Sequence, residues 1–170
     1  MLHPDVVGHF GAARTAFFAL LVASGVGGVG CDELAPETGE LRMACVDVDS
    51  DPAKPVVFAT DIRPLMNGAV EGTRGCKGCH YAGDSSGSRE GFLRTNLNLE
   101  TLRTIRLGGR NTPPDRIVVP GKPCSSALVQ KLQGTFGDAR MPRGGPFWEP
   151  AKIQLVIDWI AEGAQGADEE

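Results

Sequence analysis

Long hydrophobic runs, aromatic side chains and an excess of positive charge are missing or scarce in this chain of 170 residues. No apolar stretch reaches the roughly 18–20 residues that a membrane-spanning helix needs, so the sequence predicts no permanent transmembrane segment. The chain has 2 Trp, 1 Tyr and 7 Phe against 23 Gly and 12 Pro, which predicts a modest core and extensive loops. The net charge of −4 argues against bulk binding of nucleic acid, because such domains are usually basic.

Charge divides residues 31–170 into three segments. Residues 31–55 carry seven acidic and two basic side chains with weak hydrophobic periodicity, which predicts an acidic flexible linker. Residues 56–164 carry ten acidic and fourteen basic side chains and are predicted to form one folded domain. That surplus is either a solvated surface or a means of attracting an acidic partner. Residues 165–170 add three acids and are predicted to be an acidic tail.

Residues 1–30 have the parts of a secretory signal peptide. Arg14 precedes an apolar segment at residues 16–22, and small residues follow up to Gly30. The glycines near the end of this segment argue against the alternative, a buried N-terminal helix. The sequence therefore predicts export, with the mature chain on the periplasmic side of the cell envelope.

Gly30-Cys31-Asp32 resembles the cleavage site of bacterial lipoproteins, in which the cysteine becomes the lipid-bearing first residue. The small residue before Cys31 fits, whereas Gly28 stands where such sites favour leucine. The resemblance implies lipid on Cys31 and a soluble domain tethered to a membrane. The alternative is ordinary cleavage nearby, which leaves Cys31 free or paired with another cysteine.

The first part of the folded domain is predicted to contain two short helices. One is capped by Thr60 and stops at Gly68, just before a cysteine motif. The other is capped by Asn98 and ends at Gly108. Residues 81–91 are rich in Gly and Ser and are predicted to be a loop.

The second part of the domain contains a short helix capped by Ser125 or Ser126 and a clearer final helix that stops at Gly163. Trp159 lies beside the apolar stripe of the final helix and is predicted to cover its edge. The stripe recurs at helical spacing and consists of Ile153, Val156, Ile157, Ile160 and Ala161. No segment shows convincing strand alternation, so the predicted fold is mostly α, with short helices and long loops. A large buried apolar cofactor would help to complete such a small core.

The motif Cys76-Lys77-Gly78-Cys79-His80 has the C-x-x-C-H spacing of covalent c-type haem attachment. Two thiols three positions apart project from one turn, so each can form a thioether with one haem vinyl group. The next residue, His80, is then placed to offer an imidazole nitrogen to the iron. The sequence therefore predicts one covalent haem c.

Two other readings of this motif have their own structural requirements. A thioredoxin-like thiol–disulfide oxidoreductase places C-x-x-C at a strand-to-helix junction, whereas here a helix is predicted before it and a loop after it. A structural zinc site needs four ligands, and the other two histidines, His3 and His9, fall in the predicted signal peptide.

A haem that shuttles electrons usually has a second axial ligand, and Met141 is the candidate. It precedes Pro142 in a glycine-containing segment that predicts an extended loop. Arg140 and Arg143 flank it, either as a means of guiding a partner or neutralising haem propionates, or as solvated side chains. Met66 lies on a predicted helix, where core packing is the simpler role, and Met43 lies in the predicted linker.

Residues 56–164 resemble a class I cytochrome c domain, especially the planctomycete-type variety of exported bacterial proteins. The matching segments, in order, are Asp61-Ile62-Arg63-Pro64-Leu65, Cys76 to His80, Val119-Pro120-Gly121-Lys122-Pro123 with Ser126 and Leu128, Met141-Pro142, and residues 157–164. The resemblance implies a cytochrome c-like helix bundle around one haem attached at Cys76 and Cys79. It implies that His80 and Met141 are the axial ligands, and that the helix near residues 60–70 packs across the final helix.

Cys45 and Cys124 are left over once Cys31 is assigned to lipid and the motif to haem. In an oxidising periplasm they would form one disulfide that joins the linker to the domain. The alternative is two unrelated thiols. Cys124 is not required by the family.

The predicted function is therefore that of a non-enzymatic monohaem cytochrome that passes electrons between redox partner proteins. One alternative is a peroxidase-like or ligand-sensing haem domain with an open coordination position on the iron. A haem module docked within a larger complex is another, and a C-x-x-C thiol–disulfide oxidoreductase is a third.

Overall fold

The computed structural model describes residues 44–169, and the predicted signal peptide, Met43 and Cys31 lie outside that range. The α-helices are α1 (Arg63–Asn67), α2 (Lys77–His80), α3 (Glu90–Thr95), α4 (Leu102–Leu107), α5 (Ala127–Gln133) and α6 (Pro150–Ala161). A π-helical turn, Phe58–Ile62, leads directly into α1, and a 3-10 turn, Pro123–Ser125, precedes α5. Across residues 44–169 the backbone forms no strand, only one isolated bridge between Gly109 and Thr112. The predicted mostly α class is confirmed.

The core forms where the π-helical turn packs against α6. The Phe58 and Trp159 rings lie with their centroids 5.0 Å apart and their planes tilted by 38°. Ile153, Val156, Ile157 and Ile160 are buried as predicted, whereas Ala161 is half-buried. The prediction that Trp159 covers the edge of the stripe is wrong. Its ring is fully buried, and its Nε1 donates to the Gln165 carbonyl at 2.9 Å, so the chain beyond α6 folds back over it.

Two helix starts differ from the sequence prediction. The first helical segment begins after Val57, three residues before Thr60, and has no side-chain cap. Helix α4 begins after Thr101, which forms a capping box with Thr104, rather than after Asn98. The Asn98 side chain instead accepts hydrogen bonds from backbone N–H groups at residues 82 and 100.

Helix α3 was not predicted at all. It begins at the end of the segment that is predicted to be a loop, and Arg89 and Asn96 flank it with left-handed backbone, at φ 51° and 54°. Both flanking residues therefore carry a side chain in a backbone conformation that usually favours glycine.

The last part of the predicted linker, residues 44–55, lies against the domain rather than free of it. Cys45 and Cys124 form a disulfide with their Cα atoms 5.5 Å apart. Asp47 accepts a hydrogen bond from the Cys124 backbone N–H at 2.8 Å. We call residues 45–56 the strap.

The strap is also joined to α6. Asp158 is buried and accepts from both the backbone N–H and the hydroxyl of Ser50, at 2.9 and 2.7 Å. Glu162, just after α6, accepts from the Val56 N–H at 2.9 Å. Asp158 and Glu162 are acidic residues of the domain. The strap therefore contributes hydrogen-bond donors to these contacts as well as its own acidic groups. Within residues 44–169, no helix has both the length and the apolar character needed to cross a membrane.

Candidate functional site

The cysteine motif is anchored to the end of α1 before its own turn begins. Gly68 ends α1 in the left-handed region at φ 72°, and the chain returns so that the Cys76 N–H donates to the Met66 carbonyl at 2.6 Å. Gly75 makes this approach possible, because a Cβ atom there would lie 2.3 Å from the Gly68 nitrogen. Met66 is fully buried, as core packing predicts.

Cys76, Cys79 and His80 share a single turn. The backbone N–H groups of Cys79 and His80 both donate to the Cys76 carbonyl, at 3.2 and 2.8 Å. Both thiols are unpaired and both residues are half-buried. The structure thus pairs Cys45 with Cys124 and leaves the two motif thiols free beside the histidine.

The Cys76 thiol is held in its neutral form. Burial of the sulfur, followed by the effect of the Cys79 thiol, raises the pKa of Cys76 to about 12. At neutral pH this sulfur is a thiol rather than a thiolate, which makes it a poor nucleophile on its own.

In the haem-free chain, we expect Cys76 to react slowly with iodoacetamide at neutral pH and ever faster as the pH rises. The reason is that only the thiolate reacts, and the pKa near 12 keeps its population small. Peptide mapping by mass spectrometry between about pH 6 and about pH 10 measures the rate at this cysteine separately. A rate that levels off near neutral pH would contradict this expectation.

The imidazole of His80 is half-buried, and its surroundings favour the neutral form. Its Nδ1 atom is buried and lacks a partner with hydrogen-bond geometry. Burial lowers the pKa of His80, and the nearby Leu97 backbone carbonyl acts less strongly in the opposite direction.

Helix α3 packs over the face of the same ring, since a Cβ atom added at Gly91 would be nearly equidistant from Cε1, Nε2 and Cδ2. A Cβ atom on Gly91 would be 2.6 Å from both Cε1 and Nε2 of His80. Only a glycine can stand at this position while the ring and α3 keep these places. The lone pair of Nε2 lies in the plane of the ring, so this contact over the face does not cover it.

Tyr81 closes the motif on the side of α1. It is buried, and its hydroxyl donates to Oδ1 of Asn67 at 2.8 Å. Burial and the adjacent Cys76 raise the pKa of Tyr81 to about 12, so the hydroxyl remains a donor. This contact holds the end of the motif turn against the end of α1.

Met141 lies on the segment that follows α5. We call residues 140–148 the Met141 loop. Met141 is half-buried, and its N–H donates to the Lys131 carbonyl at 2.9 Å. Arg140 is buried, donates from Nε to the Leu132 carbonyl at 2.8 Å and stacks 4.3 Å from the centre of the Phe147 ring. Arg143 is exposed, so the two flanking arginines differ in environment.

The Met141 loop is joined to the motif through Arg74. The guanidinium Nη1 donates to the carbonyls of Arg143 and Gly145, at 3.1 and 2.9 Å. In return, Nε1 of the buried Trp148 donates to the Arg74 carbonyl at 2.9 Å. The structure therefore ties the loop that carries Met141 to the residue two positions before Cys76.

No protein-family model, curated protein or solved structure matches the chain. Within residues 44–169, no three His, Cys, Asp or Glu side chains form a group that could hold a metal ion on their own. The motif offers two thiols and one imidazole as ligands, and the connected Met141 loop offers a thioether.

Several residues of this site were missed by reasoning from the sequence: Arg74, Tyr81, Gly91, Leu97 and Trp148. Tyr81 could have been suspected, because it is the one tyrosine in the chain and follows the motif directly. The contacts of Arg74 and Trp148 join distant parts of the sequence, and no local pattern marks them.

Proposed function

We propose that residues 56–164 form an exported monohaem c-type cytochrome domain that transfers electrons between partner proteins. The observation that carries this proposal is a single turn with two unpaired thiols and a neutral imidazole, in a chain whose other two described cysteines are paired with each other. When bound, a haem c supplies a one-electron couple between ferrous and ferric iron.

The residues of the motif fit this cofactor by their chemistry. Cys76 and Cys79 each offer a thiol for a thioether bond, and both remain available. His80 offers a neutral imidazole, and the Leu97 carbonyl is the neighbour to which its Nδ1 proton would be donated. The contact of α3 at Gly91 lies over the ring face and does not occupy the in-plane lone pair of Nε2.

Met141 is the proposed second axial ligand. A thioether ligand favours the reduced state of haem iron and so raises its reduction potential. Its loop is attached to the motif through Arg74 and Trp148, which supports its assignment to the same site.

The thiol chemistry argues against a thiol–disulfide oxidoreductase. Such enzymes attack through a thiolate of lowered pKa, whereas burial raises the pKa of Cys76 to about 12. The Cys45–Cys124 disulfide supports the proposed export, because disulfides persist in oxidising compartments. Lipid on Cys31 would tether the domain to a membrane and is part of the same proposal.

The test is haem retention after denaturation. The chain is produced in a bacterium with periplasmic cytochrome c maturation, denatured and extracted with acidified organic solvent, and the reduced absorption spectrum of the protein is recorded. We expect haem to remain on the protein, and the loaded protein to give a reversible one-electron wave in voltammetry.

Two double variants remove equal numbers of cysteines and so separate attachment from general damage. Cys76→Ala with Cys79→Ala should lose all retained haem, whereas Cys45→Ser with Cys124→Ser should keep it. A parent chain that carries no haem after extraction, or equal retention in both variants, would refute the proposal.

A further inference from the structure

We propose that Arg74 is a positioning residue that clamps the Met141 loop to the motif and so keeps Met141 available as the second ligand of the iron. This inference rests on the proposed haem function. It names a residue outside the C-x-x-C-H motif and outside the axial ligands, and its effect would pass through Met141.

The clamp works in both directions across the contact. The Arg74 side chain holds two loop carbonyls, on Arg143 and Gly145, through a single nitrogen. The loop holds the backbone of Arg74 through the indole N–H of Trp148, whose side chain is only 2% exposed. Three hydrogen bonds therefore join these two stretches of chain.

Both segments that the clamp joins are held by further hydrogen bonds close to the site. On the motif side, the N–H of Cys76, two residues after Arg74, donates to the Met66 carbonyl at 2.6 Å. On the loop side, Met141 is held at its own N–H by Lys131, and Trp148 is buried at the far end. Arg74 supplies two bonds to the stretch between these ends, so its loss would free that stretch first.

An arginine suits this position better than a lysine. The planar guanidinium has several donors in a fixed geometry and loses little freedom when it bridges two carbonyls. A lysine ammonium keeps the charge but meets such a pair of acceptors as a single flexible point. Arg74→Lys should therefore retain part of the clamp and Arg74→Gln very little of it.

The test compares ferric haem-loaded protein from the parent, Arg74→Gln, Arg74→Lys and a matched control. Lys152→Gln is the control. Lys152 carries the same charge as Arg74 and donates to the carbonyl of Glu71, which precedes Arg74 closely in sequence, at 3.2 Å. Lys152 differs in that its hydrogen bond does not reach the Met141 loop. Met141→Ala provides the reference for a lost thioether ligand.

Two readouts report on Met141 itself. The first is the weak absorption band at the red end of the visible spectrum that thioether ligation gives ferric haem. The second is the affinity for added imidazole, which competes with the thioether. Loss of two charge-assisted hydrogen bonds at an exposed site should raise the imidazole affinity about tenfold in Arg74→Gln, with a smaller rise in Arg74→Lys and none in Lys152→Gln.

The outcomes separate this inference from the proposed function. A weakened thioether band and tighter imidazole binding in Arg74→Gln alone would support it. Identical band and affinity in Arg74→Gln, Lys152→Gln and the parent would overturn it, as would a haem-bearing parent without a thioether band, while leaving the cytochrome proposal standing. A parent without covalent haem would overturn both. If Arg74→Gln fails to take up haem, the Arg74→Lys spectrum decides, and parent-like values there would overturn the inference.

Discussion

Replacement of both Cys45 and Cys124 by serine is expected to lower the free energy of unfolding by about 4–5 kcal/mol. The two cysteines are 79 residues apart, so their disulfide closes a long loop of chain. In the chain-entropy model, such a loop restricts the unfolded state strongly, and the loss exceeds the roughly 1 kcal/mol of an average hydrogen bond. Urea unfolding of the haem-free chain, followed by circular dichroism, measures this difference.

The reductant provides an internal control for this prediction. The parent chain with a reductant should unfold like the serine variant, and the variant itself should not respond to the reductant. The slope of the unfolding free energy with urea should also rise in the variant, because an unfolded chain without the cross-link exposes more surface. Equal stability of the variant and the non-reduced parent would contradict the prediction.

The sequence predicted the fold best where one helix buries one continuous stripe. Helix α6 is such a case, since Ile153, Val156, Ile157 and Ile160 repeat at helical spacing and all four are buried. Trp159 was misjudged because its burial depends on the chain after α6, which folds back so that the Gln165 carbonyl accepts its Nε1–H. Periodicity within a helix carries no information about such a return.

Helix α3 shows a second reason for failure. Its sequence contains Gly91 and follows a Gly- and Ser-rich segment, so local propensity favours a loop. In the structure, that glycine lets α3 rest against the His80 ring. Tertiary packing therefore decided an element that propensity alone assigned incorrectly.

The strap shows a third reason for failure. Its acidic composition favours a solvated linker, yet Asp158 of α6 accepts two hydrogen bonds from Ser50. Counting charges in the segment cannot reveal donors that its backbone offers to a distant helix.

The residues of the site also divide into those that a local pattern predicts and those that it does not. The spacing of Cys76, Cys79 and His80 is local, so the sequence could place all three on one turn, as the structure does. The link between Arg74 and the Met141 loop joins segments about 70 residues apart in sequence, as their hydrogen bonds show. Such a contact follows from the fold and from no pattern within either segment.

Gly91→Ala is expected to destabilise the haem-free chain, because the added Cβ would overlap the face of the His80 ring. In the structure, the new Cβ would lie 2.6 Å from the His80 ring, an overlap that typically costs about 1–3 kcal/mol. Alanine regains about 0.5–1 kcal/mol of helix propensity, so the net loss in the haem-free chain lies between about 0 and about 2.5 kcal/mol, with a midpoint of about 1 kcal/mol. Urea unfolding of the haem-free chain measures this loss.

Gly78→Ala is the matched control in the haem-free chain, because Gly78 is also helical and the nearest atom to its added Cβ would be 4.0 Å away. It should be neutral or slightly stabilising in the same urea titration. A Gly91→Ala chain as stable as the Gly78→Ala chain would contradict the overlap at the His80 ring, because only the first variant places its new Cβ against that ring.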